Sequence, residues 1–167
     1  VRELFRPVKI GSPPAARDGR AILKVEASPE RVKCGRRWVG DWLYDHLFAE
    51  ESIYRAEVVV SELITNALRH GEMGSRPIEV RIYLDEGMRA VVEVIDASDR
   101  EPVIRGEDLG SLDGRGLAML DVLVRELGWV PLRGGGKSVW VVLDAVMEAE
   151  SGCAGVVCRT RTVQRDV

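Results

Sequence analysis

The segment Val58-Val59-Val60-Ser61-Glu62-Leu63-Ile64-Thr65-Asn66-Ala67-Leu68-Arg69-His70-Gly71 constrains this chain more than any other. It reads as a helix that carries a carboxylate and a carboxamide four residues apart and stops at a glycine. At about 3.6 residues per turn, Glu62 and Asn66 share one face, with Arg69 or His70 a turn further on. The neighbouring stripe of Ala56, Val59, Leu63 and Ala67 is apolar and faces inward. Such a helix borders a core and presents a general base and an oxygen ligand beside it. An oxygen ligand suits magnesium, which keeps several waters and takes further ligands from phosphates. Read alone, the pattern also fits an ordinary amphipathic helix whose polar flank carries Glu and Asn.

Composition narrows the choice only by exclusion. The chain has 167 residues, 46% of them hydrophobic, enough to bury a core as one domain. A formal net charge of −3 fits neither a nucleic-acid grip nor an acidic tail. The longest apolar runs fall well short of the ~20 residues that span a bilayer, and the first residues lack a basic-then-apolar leader pattern. Cys34, Cys153 and Cys158 show no metal-ligand spacing; a Cys153–Cys158 pair is one reading, and unpaired thiols of a reducing compartment are the favoured one. These features predict a cytoplasmic domain without membrane or direct nucleic-acid contact.

Residues 1–20 are rich in Pro, Gly and Arg without periodicity and read as an irregular arm. Ala21–Ala27 alternates loosely and reads as a strand. Ser28-Pro29-Glu30 looks like a helix start, with proline in the first turn where its missing N–H is harmless. That helix is expected to run to about Phe48, and Ser52 is expected to cap the long helix that ends at Gly71. Ile78–Leu84 and Ala90–Ile95 read as strands around the tight turn Asp85-Glu86-Gly87. Periodicity lapses from Ala97 to Asp113 and returns as a helix over Gly116–Leu127. Trp129–Leu132 and Val139–Val146 read as strands around Gly134-Gly135-Gly136. From Glu148 the chain turns polar and small, which suggests a loose tail. The domain is therefore expected over residues 21–147, flanked by 1–20 and 148–167. Helices beside hairpin-connected strands predict an α+β two-layer sandwich, a mixed or antiparallel sheet with helices on one face.

Three further motifs follow the helix. Asp96 ends an apolar strand, where a carboxylate can accept a hydrogen bond from an exocyclic amine in an otherwise apolar pocket, or cap a turn. Asp113-Gly114-Arg115-Gly116-Leu117 sits at an expected helix start, where backbone N–H groups and Arg115 can approach a phosphate. Gly134-Gly135-Gly136-Lys137-Ser138 resembles a P-loop at first sight. Pro131 stands where that motif needs its first glycine, however, and Lys137 begins a strand and not a helix, so the P-loop is rejected.

In this fixed order, the four pieces resemble the Bergerat-fold, histidine-kinase-like ATPase superfamily over roughly residues 21–145. Within it, Ser61-Glu62-Leu63-Ile64-Thr65-Asn66-Ala67-Leu68-Arg69-His70-Gly71 resembles the anti-sigma-factor serine/threonine kinases of actinobacterial type. The resemblance implies ATP and Mg2+ as cofactors. It implies Asn66 as the magnesium ligand, Glu62 as the general base and Asp96 as the reader of the adenine amine. Ser138 would support Asp96 through a water, and the backbone at Gly114 and Gly116, with Arg115 and Leu117 in the same turn, would meet the phosphates. The resemblance also implies a sigma factor and an antagonist protein as partners, and a homodimer. One departure stands out. The family continues Asp-x-Gly-x-Gly, whereas this chain has Asp96-Ala97-Ser98-Asp99-Arg100. Two functions follow: a kinase acting on the antagonist protein, or a non-catalytic, ATP-binding or nucleotide-blind anti-sigma binding module.

Overall fold

The computed structural model describes residues 6–104, 120 and 123–147. Among these the elements run β1 (Arg6–Pro7), β2 (Lys9–Ile10), β3 (Ala21–Val25), α1 (Val32–Asp45), α2 (Glu50–His70), β4 (Ile78–Leu84), β5 (Ala90–Asp96), β6 (Val103–Ile104), β7 (Val124–Pro131) and β8 (Lys137–Leu143). One sheet has the order β2-β7-β8-β5-β4-β3, antiparallel throughout except for the parallel β2–β7 pair. β1 and β6 pair apart from it. Both helices lie on one face. Val39 and Leu43 of α1 and Val59, Leu63 and Ile64 of α2 share a core with Ile82, Val92, Val94, Val139 and Val141. This is the mixed α+β sandwich that the sequence predicts.

Alternation along the strands sends Tyr83, Val91, Trp140 and Val142 to the opposite face, where they form a second cluster. The chain's own N-terminal residues cover it. Trp140 donates its indole N–H to the Gly11 carbonyl at 2.8 Å, and Tyr83 donates its hydroxyl to the Pro14 carbonyl at 2.8 Å. Burial, with Glu93 nearby, holds the Tyr83 phenol well above its ordinary range, so it stays a protonated donor. The Arg17 N–H donates to Leu84 O at 2.9 Å, and the Arg20 guanidinium lies 4.8 Å over the Tyr83 ring. Much of the expected irregular arm is thus a strap that also supplies β1 and β2. Its sequence shows no period because it is held largely by side chain-to-backbone bonds and not by a long ladder.

Other boundaries shift for local reasons. A 3-10 turn, Pro29–Arg31, precedes α1. α1 ends before Phe48 because Leu47 takes a left-handed φ of 62° that a helix cannot contain. Ala49, not Ser52, holds the N-cap position of α2; the Ser52 hydroxyl accepts from Val146 N–H at 2.9 Å instead. Leu120 and Leu123 are helical, but β7 has begun by Val124. A register shift between Val124 and Glu126 lets Val124 and Leu127, three apart, both reach the core and so imitate helical spacing. Among the described residues, no helix is long and apolar enough to cross a membrane.

Candidate functional site

The orientation of α2 is set by Val59, Leu63, Ile64 and Ala67, each no more than 2% exposed. With these inside, Glu62 and Asn66 fall on the half-buried flank of the helix. Glu62 makes no hydrogen bond or ion pair among the described residues. Asn66 is less ordinary, because its Nδ2 is buried without a hydrogen-bond partner. Such an orphan costs about 1–3 kcal/mol and points to something that binds there. A flip of the carboxamide exchanges its two ends, so Oδ1 can take the same position.

The end of α2 is tied to the end of β5. Gly71 O accepts from Ala97 N–H at 2.9 Å, and a Cβ on Gly71 would stand 2.6 Å from the Asp96 Cβ. Glycine therefore lets the helix close onto the strand, and Asp96 lies against it.

Asp96 is 7% exposed and Lys137 5%, and they form a buried ion pair. Asp96 Oδ1 accepts from Lys137 Nζ at 2.8 Å and from Ser98 N–H at 3.0 Å. The same ammonium donates to Ser98 O at 3.3 Å. Burial raises the Asp96 carboxyl above the usual carboxylate range; Lys137 and the Ser98 N–H pull against that shift without cancelling it.

The stretch that lacks the family's glycines turns by side-chain hydrogen bonds. The Asp96 carboxylate closes a turn on Ser98, and the Ser98 hydroxyl accepts from Arg100 N–H at 3.2 Å. Asp99 Oδ1 then accepts from Gly136 N–H at 2.7 Å, pinning the glycine turn to this segment. Gly136 has φ 80°, and a Cβ there would overlap the Asp96 carbonyl oxygen.

The geometry corrects the expectation for Ser138. Its hydroxyl donates to Glu93 Oε2 at 2.9 Å, and Glu93, 3% exposed, also meets Arg20 at 3.3 Å and Arg81 at 3.9 Å. In the β5–β8 register Asp96 opposes Lys137, while Ser138 opposes Ile95. Side chains alternate between faces, so one step along β8 carries the serine to the far side of the sheet. The side chain that meets Asp96 is Lys137, which the sequence shows only as the first residue of a strand. Gly114, Arg115, Gly116 and Leu117 lie outside the described residues.

Residues 25–143 match the family described as the histidine kinase-like ATPase domain. The chain belongs to that family. The ATPase domain so defined takes in both helices and the strands from β4 to β8, and with them Glu62, Asn66, Asp96 and Lys137. A crystal structure of the RsbU and RsbW domains of Rv1364c from Mycobacterium tuberculosis shares the fold, with a TM-score of 0.58 at 20% identity. The likeness covers 76% of this chain and 32% of that one, about a third of the crystallised two-domain chain. No curated protein matches by sequence.

Within the ATPase domain, Gly136→Ala should destabilise by about 1–3 kcal/mol from backbone strain, with further loss from the overlap at Asp96. Gly134, which has nothing within 4 Å of its would-be Cβ, is the control. Gly134→Ala should stay within about 0.5 kcal/mol of the parent. Equal urea midpoints for the two variants would refute the close approach.

Proposed function

We propose that this chain is an anti-sigma factor that binds ATP with Mg2+ and phosphorylates a serine or threonine of an antagonist protein. The observation that carries the reading is the buried, unpartnered Asn66 amide, one turn from Glu62 on the helix whose end is bonded to the Asp96 segment. Membership of the ATPase-domain family supports nucleotide binding, and the motif around Glu62 and Asn66 supports the anti-sigma assignment. In this reading, Asp96 accepts a hydrogen bond from the exocyclic amine of adenine. Asn66 Oδ1 would hold Mg2+. Among the described residues no three His, Cys, Asp or Glu side chains converge on a cation position, so an ion at Asn66 takes its other ligands from phosphates and water. Bound there, magnesium supplies neutralisation of phosphate charge. Glu62 removes the proton of the acceptor hydroxyl, and Gly114, Arg115, Gly116 and Leu117 offer backbone N–H groups and one guanidinium to the phosphates.

The working unit in this proposal is residues 21–147, with 1–20 and 148–167 as flanks, acting in the cytoplasm as a homodimer. Sigma and the antagonist compete for it, and phosphorylation releases the antagonist by adding roughly −1.5 to −2 charges near acidic residues such as Glu101.

Titration with ATP tests the reading. The parent should bind more tightly with magnesium than without it, and Asn66→Ala should abolish that difference while the protein stays folded. A parent protein that binds no ATP overturns the proposal. A second reading, a binding module without turnover, is favoured by the segment after Asp96, where Ala97-Ser98-Asp99-Arg100 replaces the family's glycines and is held by side-chain hydrogen bonds. Capture of partners from the native host separates the two. A recovered antagonist that accepts labelled γ-phosphate on serine or threonine supports the kinase; sigma recovered without transfer supports the module; neither partner recovered refutes both.

A further inference from the structure

Asp96 and Lys137 are directly opposed residues of antiparallel strands, on the helix-bearing face of the sheet. An ammonium has three N–H donors. Two of Lys137's are used, by Asp96 Oδ1 at 2.8 Å and Ser98 O at 3.3 Å. The third has no acceptor among the described residues. Asp96 divides its capacity in a similar way: Oδ1 takes Lys137 and Ser98 N–H, and Oδ2 accepts no hydrogen bond among the described residues. The pair therefore leaves one acceptor and one charged donor side by side in a buried place.

A ligand edge that satisfies both positions carries an amine next to a ring nitrogen acceptor. Adenine has that edge at its N6 amine and N1. Guanine, held the same way, turns a carbonyl toward Asp96 and an N–H toward Lys137, which sets acceptor against acceptor and donor against donor. On the ATP-binding reading above, we infer that Lys137 donates a direct hydrogen bond to adenine N1 while Asp96 Oδ2 accepts from the N6 amine, so that the pair selects adenine over guanine. Lys137 is then a specificity-determining residue of the base site. It takes the position beside Asp96 that the sequence-based expectation gave to Ser138 and a water.

Binding of ATP, GTP and 1-deaza-ATP, in which a C–H replaces N1, tests this on the unaltered protein. A charge-assisted hydrogen bond predicts that 1-deaza-ATP binds at least about ten-fold more weakly than ATP. GTP, mismatched at both positions, should bind at least about a hundred-fold more weakly. Lys137→Met should lose about the same ten-fold for ATP and should no longer distinguish ATP from 1-deaza-ATP, a change that a merely structural role would not produce. Lys137→Met leaves Asp96 unpaired and endangers folding, so the comparison of analogues on the parent decides by itself. Equal binding of ATP and 1-deaza-ATP by the parent overturns the role of Lys137 and leaves the ATP reading standing. Discrimination that persists in folded Lys137→Met assigns N1 to another group and overturns it as well. A parent that binds no adenine nucleotide overturns this inference together with the reading on which it rests.

Discussion

A Glu62→Gln protein is expected to bind ATP about as tightly as the parent while transferring the γ-phosphoryl group roughly 10²–10⁴-fold more slowly. The substitution keeps the size and hydrogen-bonding reach of the side chain and removes only its ability to take a proton. Nothing else should be lost, because Glu62 has no hydrogen bond or ion pair among the described residues and stands on a flank that the core does not use. Calorimetric affinity and the initial rate of label transfer to the antagonist measure the two halves separately. Loss of binding would make Glu62 a structural or cation-facing residue. Unchanged transfer would remove it from the chemistry.

At Asp96 the expected effects fall on both stability and binding. Asp96→Ala strips the partner from a buried ammonium, and an uncompensated charge of this kind costs about 3–5 kcal/mol of folding stability. Replacing both members by apolar residues, as in Asp96→Leu with Lys137→Met, should recover most of that loss in urea unfolding but should not recover ATP binding. The milder Asp96→Asn should weaken ATP by about ten- to a hundred-fold, and unaltered affinity in that variant would end the adenine assignment. The pH dependence has a definite sign. Burial places the folded carboxyl above its unfolded value, so the proton is held more tightly in the folded state. Asp96's contribution to stability is fully present below the unfolded value and is lost as pH rises through the folded one. ATP affinity, which needs the ionised acceptor, should rise over that same window. Opposite slopes in the parent, with the stability slope absent from the double apolar variant, would confirm the assignment; parallel slopes would refute it.

The parts of the fold that the sequence makes legible are those whose signals are local. α2 carries its own stripe and its own stop at Gly71, and β4 and β5 alternate around a turn that Asp85 closes by accepting from Gly87 and Arg89 N–H groups. Asn66 and Glu62 are legible because helical spacing alone puts them on one flank. Lys137 is not, for a specific reason. From Val139 on, Val139 and Val141 face the helices while Trp140 and Val142 face the strap, so both faces of β8 are apolar and do not mark which of its two adjacent polar residues, Lys137 or Ser138, reaches Asp96. Register with β5, a strand distant in sequence, decides that question. The N-terminal strap is equally silent, since it answers to Trp140 and Tyr83 far along the chain.

The seam between β5 and β8 also makes the molecule unevenly tolerant of change. Its rungs run from Val91–Val142 to Asp96–Lys137, and none of them draws on residues 97–123. Closing a loop across a sealed seam grows dearer only with the logarithm of its length, about 0.6 kcal/mol per doubling. Changes of length in that stretch therefore cost little in chain entropy, provided that Ala97, Ser98, Asp99 and Leu120 keep their places. One residue inserted into β8 is another matter: it would reverse the parity of the strand and take Lys137 away from Asp96. Drift in this lineage has wide room between the strands and almost none within the seam.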